Sequence, residues 1–372
     1  MTDVTPVLWA VGEHGTVLSS SDGGSQWLRQ ETGSRQTLAG VAFADCENGW
    51  AVGFGTGGDE GAILRTGDGG EQWEILRLLP GTILRDVCCV DSLHVWVSGQ
   101  CDLRPLILGS IDGGDTWEQQ AIGTMGEVVT CIRFVDEKHG WAGTVIDRSP
   151  GFWGHLMRSC DGGLHWEANG ALPVGIESLT AISEGTCWIA GMAVGDASVG
   201  RVARIDGSDI LWRQPRNLVG TPRYVFTVGD SAVGVLGAQE VDASMTGVFW
   251  LSRDGGINWI GTGMYPYYPK AAAFTDAAHG WSVGKLAGNY GSGVILSTSD
   301  GGLNWTKCYG RPDTPVLRDV TCVSSWKRHG VGKPLNNAQG RADAAKGSPS
   351  ASVSPLPTPG KTGETTARCG RA

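Results

Sequence analysis

Residues 19–27 read SSSDGGSQW, and closely similar stretches recur along the chain. They are RTGDGGEQW at 65–73, GSIDGGDTW at 109–117, RSCDGGLHW at 158–166, LSRDGGINW at 251–259 and STSDGGLNW at 297–305. A degenerate copy, ARIDGSDILW at 203–212, keeps the Asp and the Trp but has Ser208 in place of the second glycine. Successive Asp residues are 46, 44, 49, 45, 48 and 46 positions apart. This period predicts one four-stranded propeller blade per repeat.

Each copy has the chemistry of a tight turn, which we call the Asp box. The Asp side chain can accept hydrogen bonds from nearby backbone amides, and the glycines supply positive φ angles. The Trp packs the turn against its sheet and buries about 200 Å² of indole surface. We therefore expect structural roles for Asp22, Trp27, Asp68, Trp73, Asp112, Trp117, Asp161, Trp166, Asp206, Trp212, Asp254, Trp259, Asp300 and Trp305.

A second element joins two further strands of each repeat. It reads VAFADCENGWAVG at 41–53, IRFVDEKHGWAG at 132–143 and AAFTDAAHGWSVG at 272–284. The alternation of Val41 with Phe43 is typical of a strand that buries every second side chain, and we assign it to the innermost strand. The tryptophan of the element opens the second strand at Trp50, Trp96, Trp141, Trp188 and Trp281, as Trp9 does in the first repeat.

The two ends of the repeat region complement each other. The stretch VLWAVGEHGTVLSSSDGG at 7–24 lacks an innermost strand, whereas VLRDVTCVSS at 316–325 follows the last box without partner strands. A C-terminal strand that joins three N-terminal strands completes a seventh blade and removes exposed sheet edges. The sequence thus predicts an all-β fold, a seven-bladed β-propeller of four-stranded Asp-box repeats with N/C-terminal Velcro closure, over residues 1–326.

Residues 327–372 depart from this pattern. They are rich in Gly, Ala, Ser and Pro and contain no aromatic residue. From residue 331 onward, six Lys or Arg stand against two Asp or Glu. A segment with so little to bury predicts a disordered, cationic tail.

Composition limits the classes of function. A formal net charge of −9 argues against nucleic acid as a partner, because phosphate binding needs concentrated Lys and Arg. The ten cysteines form no C-x-x-C pair and share no spacing with His, so we expect no metal site and no cofactor. Cys89 and Cys322 stand where other repeats have Phe, which favours small buried thiols.

Targeting signals are absent from the sequence as given. No positively charged start with an apolar segment precedes the first strand, and no run of about 18 apolar residues predicts a membrane span. We expect a cytoplasmic monomer on this sequence. Periplasm or lumen is the alternative if the chain begins further upstream.

The box S/T-x-D-G-G-x-x-W, joined to H-G-W-A-V-G strands, resembles the BNR or Asp-box propellers of the WD40/YVTN/BNR-like repeat superfamily, from residue 7 to about 326. Within that group the sequence looks most like the photosystem II assembly and stability factors. Sialidases, xyloglucanases and sortilin-type receptors share the box, so it indicates fold more than function. The resemblance implies a non-enzymatic scaffold in photosynthesis that binds a membrane-protein assembly intermediate, usually in a lumen or periplasm.

Candidate binding residues lie on the face opposite the boxes, where variable loops join second and third strands. A protein partner would be held by cations and anchored by aromatic side chains. The predicted cations are Arg85, Arg104, Arg148, Lys270 and Arg318, and the predicted anchors are Phe152 and Trp153.

A carbohydrate ligand is the alternative. Stacking faces for a sugar would come from Trp153, Tyr265, Tyr267, Tyr268 and Tyr290, with Asp147 nearby. The stretch MYPYYP at 264–269 also fits a stiff loop that packs on its own blade.

An enzyme of this fold would be a glycoside hydrolase, which needs two carboxylates across the scissile bond. Asp59, Asp102, Asp147 and Glu240 stand on suitable loops, but the sequence does not pair any two of them. We assign no catalytic residue and favour a protein-binding scaffold.

Overall fold

The computed structural model describes residues 5–323, apart from residues 59, 121–122, 124, 149–150, 194–195, 214–220, 229–231, 242–243, 265 and 287–291. The described chain forms 28 strands in seven four-stranded antiparallel sheets. It is the seven-bladed β-propeller that the repeat predicts. Within these residues no helix is long and apolar enough to cross a membrane. The segment 327–372, for which we predict a tail, lies outside the described residues.

Every blade runs outward from an innermost strand beside the central channel. Blade 1 is β28 (Leu317–Val323), β1 (Val7–Gly12), β2 (Val17–Ser20) and β3 (Leu28–Gln30); blade 2 is β4 (Thr37–Phe43), β5 (Gly49–Phe54), β6 (Glu60–Thr66) and β7 (Glu74–Pro80). Blade 3 is β8 (Thr82–Cys89), β9 (Val95–Cys101), β10 (Arg104–Ser110) and β11 (Glu118–Gln120); blade 4 is β12 (Glu127–Phe134), β13 (Gly140–Arg148), β14 (Gly151–Ser159) and β15 (Glu167–Leu172).

The remaining blades follow the same order. Blade 5 is β16 (Val174–Ala181), β17 (Thr186–Ala193), β18 (Asp196–Asp206) and β19 (Asp209–Trp212). Blade 6 is β20 (Thr221–Val228), β21 (Ala232–Val241), β22 (Ser244–Ser252) and β23 (Ile260–Gly263); blade 7 is β24 (Tyr267–Phe274), β25 (Gly280–Leu286), β26 (Gly293–Thr298) and β27 (Thr306–Tyr309).

Blade 1 contains strands from both ends of the described chain. β28 pairs antiparallel with β1, from Val7 opposite Val323 to Gly12 opposite Leu317. β1 in turn pairs with β2, which places the C-terminal strand nearest the channel.

All seven innermost strands carry a one-residue bulge at the same level. In blade 3, the pairing with β9 shifts between Leu84 and Asp86, and Arg85 is the extra residue. A bulge leaves one residue out of the ladder and re-aims its side chain. The equivalent residues of the other blades are Ala39, Thr130, Glu177, Arg223, Lys270 and Arg318.

The last glycine of the G-W-A-V-G element makes room for this bulge. A Cβ on Gly99 would lie 2.0 Å from the carbonyl oxygen of Ile83, a distance that no side chain tolerates. Glycine occupies the same place in five further blades at Gly12, Gly53, Gly191, Gly237 and Gly284. The motif therefore has a steric cause in the innermost strand.

Two sets of tryptophans anchor the blades, one on the second strands and one in the Asp boxes. The second-strand residues are the more buried set: Trp9 and Trp141 are fully buried, whereas the box residue Trp212 is 37% exposed. The indole nitrogen of Trp9 donates to the Gly69 carbonyl of blade 2 at 2.8 Å. Trp50, Trp96 and Trp141 also donate to a carbonyl of the next blade, so four of the second-strand tryptophans join neighbouring blades.

The Asp boxes form hydrogen-bonded turns on the face away from the bulges. Asp22 Oδ1 accepts from the Gln26 amide and from the Ser20 hydroxyl, both at 2.9 Å. The same bonds recur at Asp68, Asp112, Asp161, Asp254 and Asp300. Asp206 of the degenerate copy instead accepts from the Thr186 hydroxyl at 3.0 Å. These contacts are local, which fits a structural role.

Candidate functional site

The seven bulge residues meet at one end of the central channel, on the face of the loops between second and third strands. We call them the channel-mouth ring: Ala39, Arg85, Thr130, Glu177, Arg223, Lys270 and Arg318. Together they line a cavity of about 260 Å³. Each blade supplies one side chain to the ring, so all seven blades contribute to this surface.

Positive charge dominates the ring. Its four cations, on Arg85, Arg223, Lys270 and Arg318, face one carboxylate, on Glu177. Arg223 pairs with Glu177 at 3.4 Å, and Arg318 pairs with Glu13 at 2.9 Å. Within the described part of the chain, Arg85 and Lys270 have no such ion pair. The ring is therefore incompletely neutralised.

Aromatic faces hold the two unpaired cations in position. The Arg85 guanidinium lies 5.5 Å from the ring centre of Phe54, and the Lys270 ammonium lies 4.8 Å from that of Tyr268. Lys285 approaches the same tyrosine at 5.6 Å. Cation–π contacts of this kind stabilise a cation by about 0.5–2 kcal/mol. They limit the motion of side chains that would otherwise be mobile.

The electrostatics of the ring follow from this crowding. Burial lowers the pKa of Lys270 to about 8, and the charges of Arg318 and Arg223 add to the decrease. Desolvation also lowers the pKa of Arg85, again with a contribution from Arg318. Like charges held together in this way favour the binding of an anion.

A polar layer closes the cavity from below. Arg133, Tyr224 and Asp319 line both this cavity and a second one of about 330 Å³ on the box side, so they lie between the two. Asp86 Oδ2 accepts from the Ile132 amide at 3.0 Å and from the Arg133 guanidinium at 2.5 Å. The mouth end of the channel is therefore a pocket with a polar floor.

The same layer connects innermost strands of neighbouring blades. Asp319 Oδ2 accepts from the Val41 amide at 3.0 Å, and Ser178 Oγ accepts from the Val225 amide at 3.1 Å. Burial raises the pKa of Asp319 to about 7, and the Asp86 carboxylate adds to the rise. The carboxylates of Asp86 and Asp319 thus accept hydrogen bonds from backbone amides of neighbouring blades.

Three of the predicted cations lie in the ring. Arg85, Lys270 and Arg318 line the cavity, but they lie on innermost strands and not on the loops of that face. Arg104 is the first residue of β10, is exposed, and does not line the cavity. Arg104 therefore lies outside the cavity that the other three predicted cations line.

The segment around Arg148 forms a hairpin where a loop was expected. β13 and β14 pair as far as Arg148 opposite Gly151, with Asp147 opposite Phe152. The side chains of Asp147, Arg148 and Phe152 lie outside the description, as does that of Glu240 on β21. Trp153 is 38% exposed on β14.

The tyrosines offer little to a sugar. Tyr267 is fully buried, and its hydroxyl lies 3.0 Å from Ser282 Oγ, so it is a core residue and not a stacking surface. The ammonium groups of Lys270 and Lys285 lie over the ring of Tyr268 and occupy surface on which a sugar would stack. Tyr265, Tyr290 and the candidate acid Asp59 lie outside the described residues.

Glu177, Arg223 and the polar layer were missed at the level of sequence. Yet a spacing identifies the ring: Arg85 precedes Trp96 by 11 residues, and Lys270 precedes Trp281 by the same interval. Counting 11 residues back from each second-strand tryptophan finds five of the seven ring positions: Ala39, Arg85, Thr130, Glu177 and Lys270.

One cluster, on the face that carries the Asp boxes, contains side chains of the types that bind metal ions. Asp91, His94 and Glu137 bring three potential ligand atoms within 4.8 Å of one another. His94 Nδ1 lies 2.9 Å from Asp91 within its own turn, and His139 repeats this contact with Asp136 at 2.8 Å. The repetition indicates a turn-stabilising contact.

Comparisons with known proteins agree on the fold. No protein-family model matches the sequence, and no curated protein sequence matches it. Among solved structures, YCF48 bound to a D1 peptide is 18% identical with a TM-score of 0.53, and the match covers 73% of this chain and 81% of that one. YCF48 from Cyanidioschyzon merolae is 17% identical with a TM-score of 0.50, covering 73% and 85%.

An enzyme has a similar structure. The GH74 enzyme of Niastella koreensis is 11% identical with a TM-score of 0.51, and the match covers 80% of this chain and 64% of that one. Identities this low show a shared architecture and leave activity open. The chain is a seven-bladed β-propeller with structural similarity to YCF48 and to a glycoside hydrolase.

Proposed function

We propose that the chain is a non-enzymatic binding scaffold, in which the channel mouth holds a negatively charged group of a partner protein. The observation that carries this proposal is the channel-mouth ring, where four cations and one carboxylate line a pocket with a polar floor. Such a preformed cationic pocket favours an anionic ligand and raises its rate of association. YCF48, with its bound D1 peptide, is a similar fold that binds a peptide.

The role that we propose resembles that of photosystem II assembly and stability factors, as the sequence resemblance implies. A membrane-protein assembly intermediate is then the expected class of partner. The ring supports binding more than hydrolysis. Its one carboxylate, Glu177, is ion-paired with Arg223, and the two deeper ones, Asp86 and Asp319, are engaged with backbone amides.

A matched pair of variants tests the proposal. Arg85→Ala removes a ring cation, and Arg104→Ala removes the same charge from the same blade and face but outside the ring. Tagged protein is cross-linked in native lysate, and the cross-linked sites are identified by mass spectrometry. We expect a partner that cross-links near Lys270, survives Arg104→Ala and falls at least about tenfold with Arg85→Ala.

Two outcomes would contradict the proposal. Capture that is equally strong with Arg85→Ala would remove the ring from the binding site. Release of reducing sugar from xyloglucan, abolished by Glu177→Gln, would instead support the glycoside hydrolase.

A further inference from the structure

The channel-mouth cavity carries an excess of positive charge. Five cationic and three carboxylate side chains line it, and Glu13, which pairs with Arg318 at 2.9 Å, leaves a balance of one formal positive charge. The cations are the four of the ring together with Arg133 below, and the carboxylates are Asp86, Glu177 and Asp319. The bound ligand that this charge favours is therefore an anion.

The shape of the ring leaves one place for such an ion. Blade 2 lies between blades 1 and 3, so Ala39 stands between Arg318 and Arg85 in the order around the channel. A methyl group at that position leaves open space where every other blade presents a longer side chain. The two guanidinium groups therefore flank an open bay with Lys270 beyond Arg318.

The bay has the donors that a phosphate group requires. Guanidinium groups match phosphate oxygens in bidentate pairs, and an ammonium adds a point charge. The buried Nε–H of Arg318 has no hydrogen-bond partner among the described residues, so this donor is unsatisfied within the protein. The cavity of about 260 Å³ has room for roughly eight waters at about 30 Å³ each, enough for a small ion and part of its hydration shell.

Nothing in the floor competes for these donors. Asp86 is held by the Ile132 amide and by Arg133, and Asp319 by the amides of Val41 and Val320. Glu177 lies on the opposite arc of the ring, paired with Arg223. Arg85, Lys270 and the part of the Arg318 guanidinium that Glu13 leaves unpaired can therefore converge on a ligand that enters from the mouth.

We propose that the bay above Ala39 binds a phosphate dianion, either free or as a phosphomonoester, through Arg85, Arg318 and Lys270. The site needs no protein partner and goes beyond the scaffold function. Because it occupies the same mouth, a bound phosphate group competes with a partner's carboxylate for the same cations.

The test is isothermal titration of the purified full chain in chloride buffer, with inorganic phosphate, glycerol 3-phosphate and acetate as separate probes. We expect inorganic phosphate to bind at least about tenfold more tightly than acetate, because bidentate pairing and double charge favour it. Binding of glycerol 3-phosphate as well would identify a site that accepts esters; its exclusion would identify a site for the free ion. Acetate that binds as tightly as both phosphates would overturn the proposal.

Ala39→Glu is the decisive variant, because it places a carboxylate in the bay. Glu177 already occupies an equivalent bulge, so glutamate is compatible with this backbone. Arg104→Ala is the control, since it changes net charge by the same amount outside the cavity. We expect phosphate binding to fall at least about tenfold with Ala39→Glu and to be unchanged with Arg104→Ala.

The outcomes separate the two proposals. Equal loss of phosphate binding in both variants, with unfolding midpoints like that of wild type, would show a general charge effect and refute the bay. Absence of phosphate binding in wild type would refute the bay while leaving partner capture, and its loss with Arg85→Ala, as an independent result.

Discussion

Replacing Trp9 by Phe should destabilise the propeller more than the same change at Trp73. Trp9 is fully buried, stacks on Phe43 at 3.6 Å and donates its indole N–H to the Gly69 carbonyl of the next blade. Loss of the hydrogen bond costs about 0.5–1.5 kcal/mol, because the Gly69 carbonyl is only partly buried. The lost volume of about 40 Å³ adds about 1 kcal/mol at roughly 24 cal/mol per Å³. We expect a total of about 1.5–2.5 kcal/mol.

Trp73 is the matched control. It belongs to the same cluster and meets Phe43 edge-on at 5.9 Å, but it is only half-buried, and its indole N–H has no partner among the described residues. Trp73→Phe should therefore cost about 1 kcal/mol or less. Equilibrium urea unfolding measures both, provided that the slopes agree. A cost at Trp73 equal to or above that at Trp9 would refute the idea that the second-strand tryptophans join the blades.

Three further predictions follow from the channel and the strands around it. Because burial raises the folded pKa of Asp319 to about 7, well above the unfolded value of about 4, the wild-type free energy of unfolding should fall as pH rises from about 4 to 7. Asp319→Asn should remove this pH dependence from the urea midpoints measured between pH 5 and 8. A pH profile unchanged from that of wild type would contradict the raised pKa. Gly99→Ala should cost more than about 2 kcal/mol in thermal unfolding because its Cβ would meet a carbonyl at 2.0 Å, whereas Gly185→Ala, with nothing within 4 Å, should be close to neutral; similar costs would contradict the bulge. Competitive acylation should titrate Lys270 near pH 8, and a midpoint at the ordinary lysine value of about 10.4 would contradict the crowding of the ring.

The fold could be predicted because its signals repeat. The Asp boxes recur with a nearly constant period, and in six of them the hydrogen bonds of the Asp side chain stay within the box. The missing innermost strand at one end and the extra strand at the other indicated which strands share a blade. Blade number and strand order were therefore within reach of the sequence.

The site could not be predicted in the same way. Its seven residues share a backbone position but no chemistry, as Ala39, Thr130 and Glu177 illustrate, so they do not stand out as a motif. The bulge that points these side chains toward the channel is defined by hydrogen bonding between strands, which the amino-acid sequence does not display. Arg85 and Lys270 were chosen for their charge, and their strand positions came as a correction.

The hairpin of β13 and β14 differed from expectation for a related reason. Gly, Ser and Pro between Asp147 and Phe152 favoured an extended loop. In the structure both strands continue to Arg148 and Gly151, because cross-strand pairing outweighs local turn preference. The face of the channel mouth is consequently bordered by strand rather than by loop at blade 4.

The bulge of each innermost strand also separates what the propeller can recognise from what keeps it folded. A ring side chain stands on a backbone irregularity that a glycine of the next strand accommodates in six of the seven blades, and Ala, Arg, Thr, Glu and Lys all occupy that position in this one chain. Seven sites can thus be exchanged one at a time with little effect on the blade cores. An acidic ring on the same scaffold would select cations, and an aromatic ring would select apolar ligands, so the fold offers seven separately adjustable positions for the evolution or engineering of new specificities.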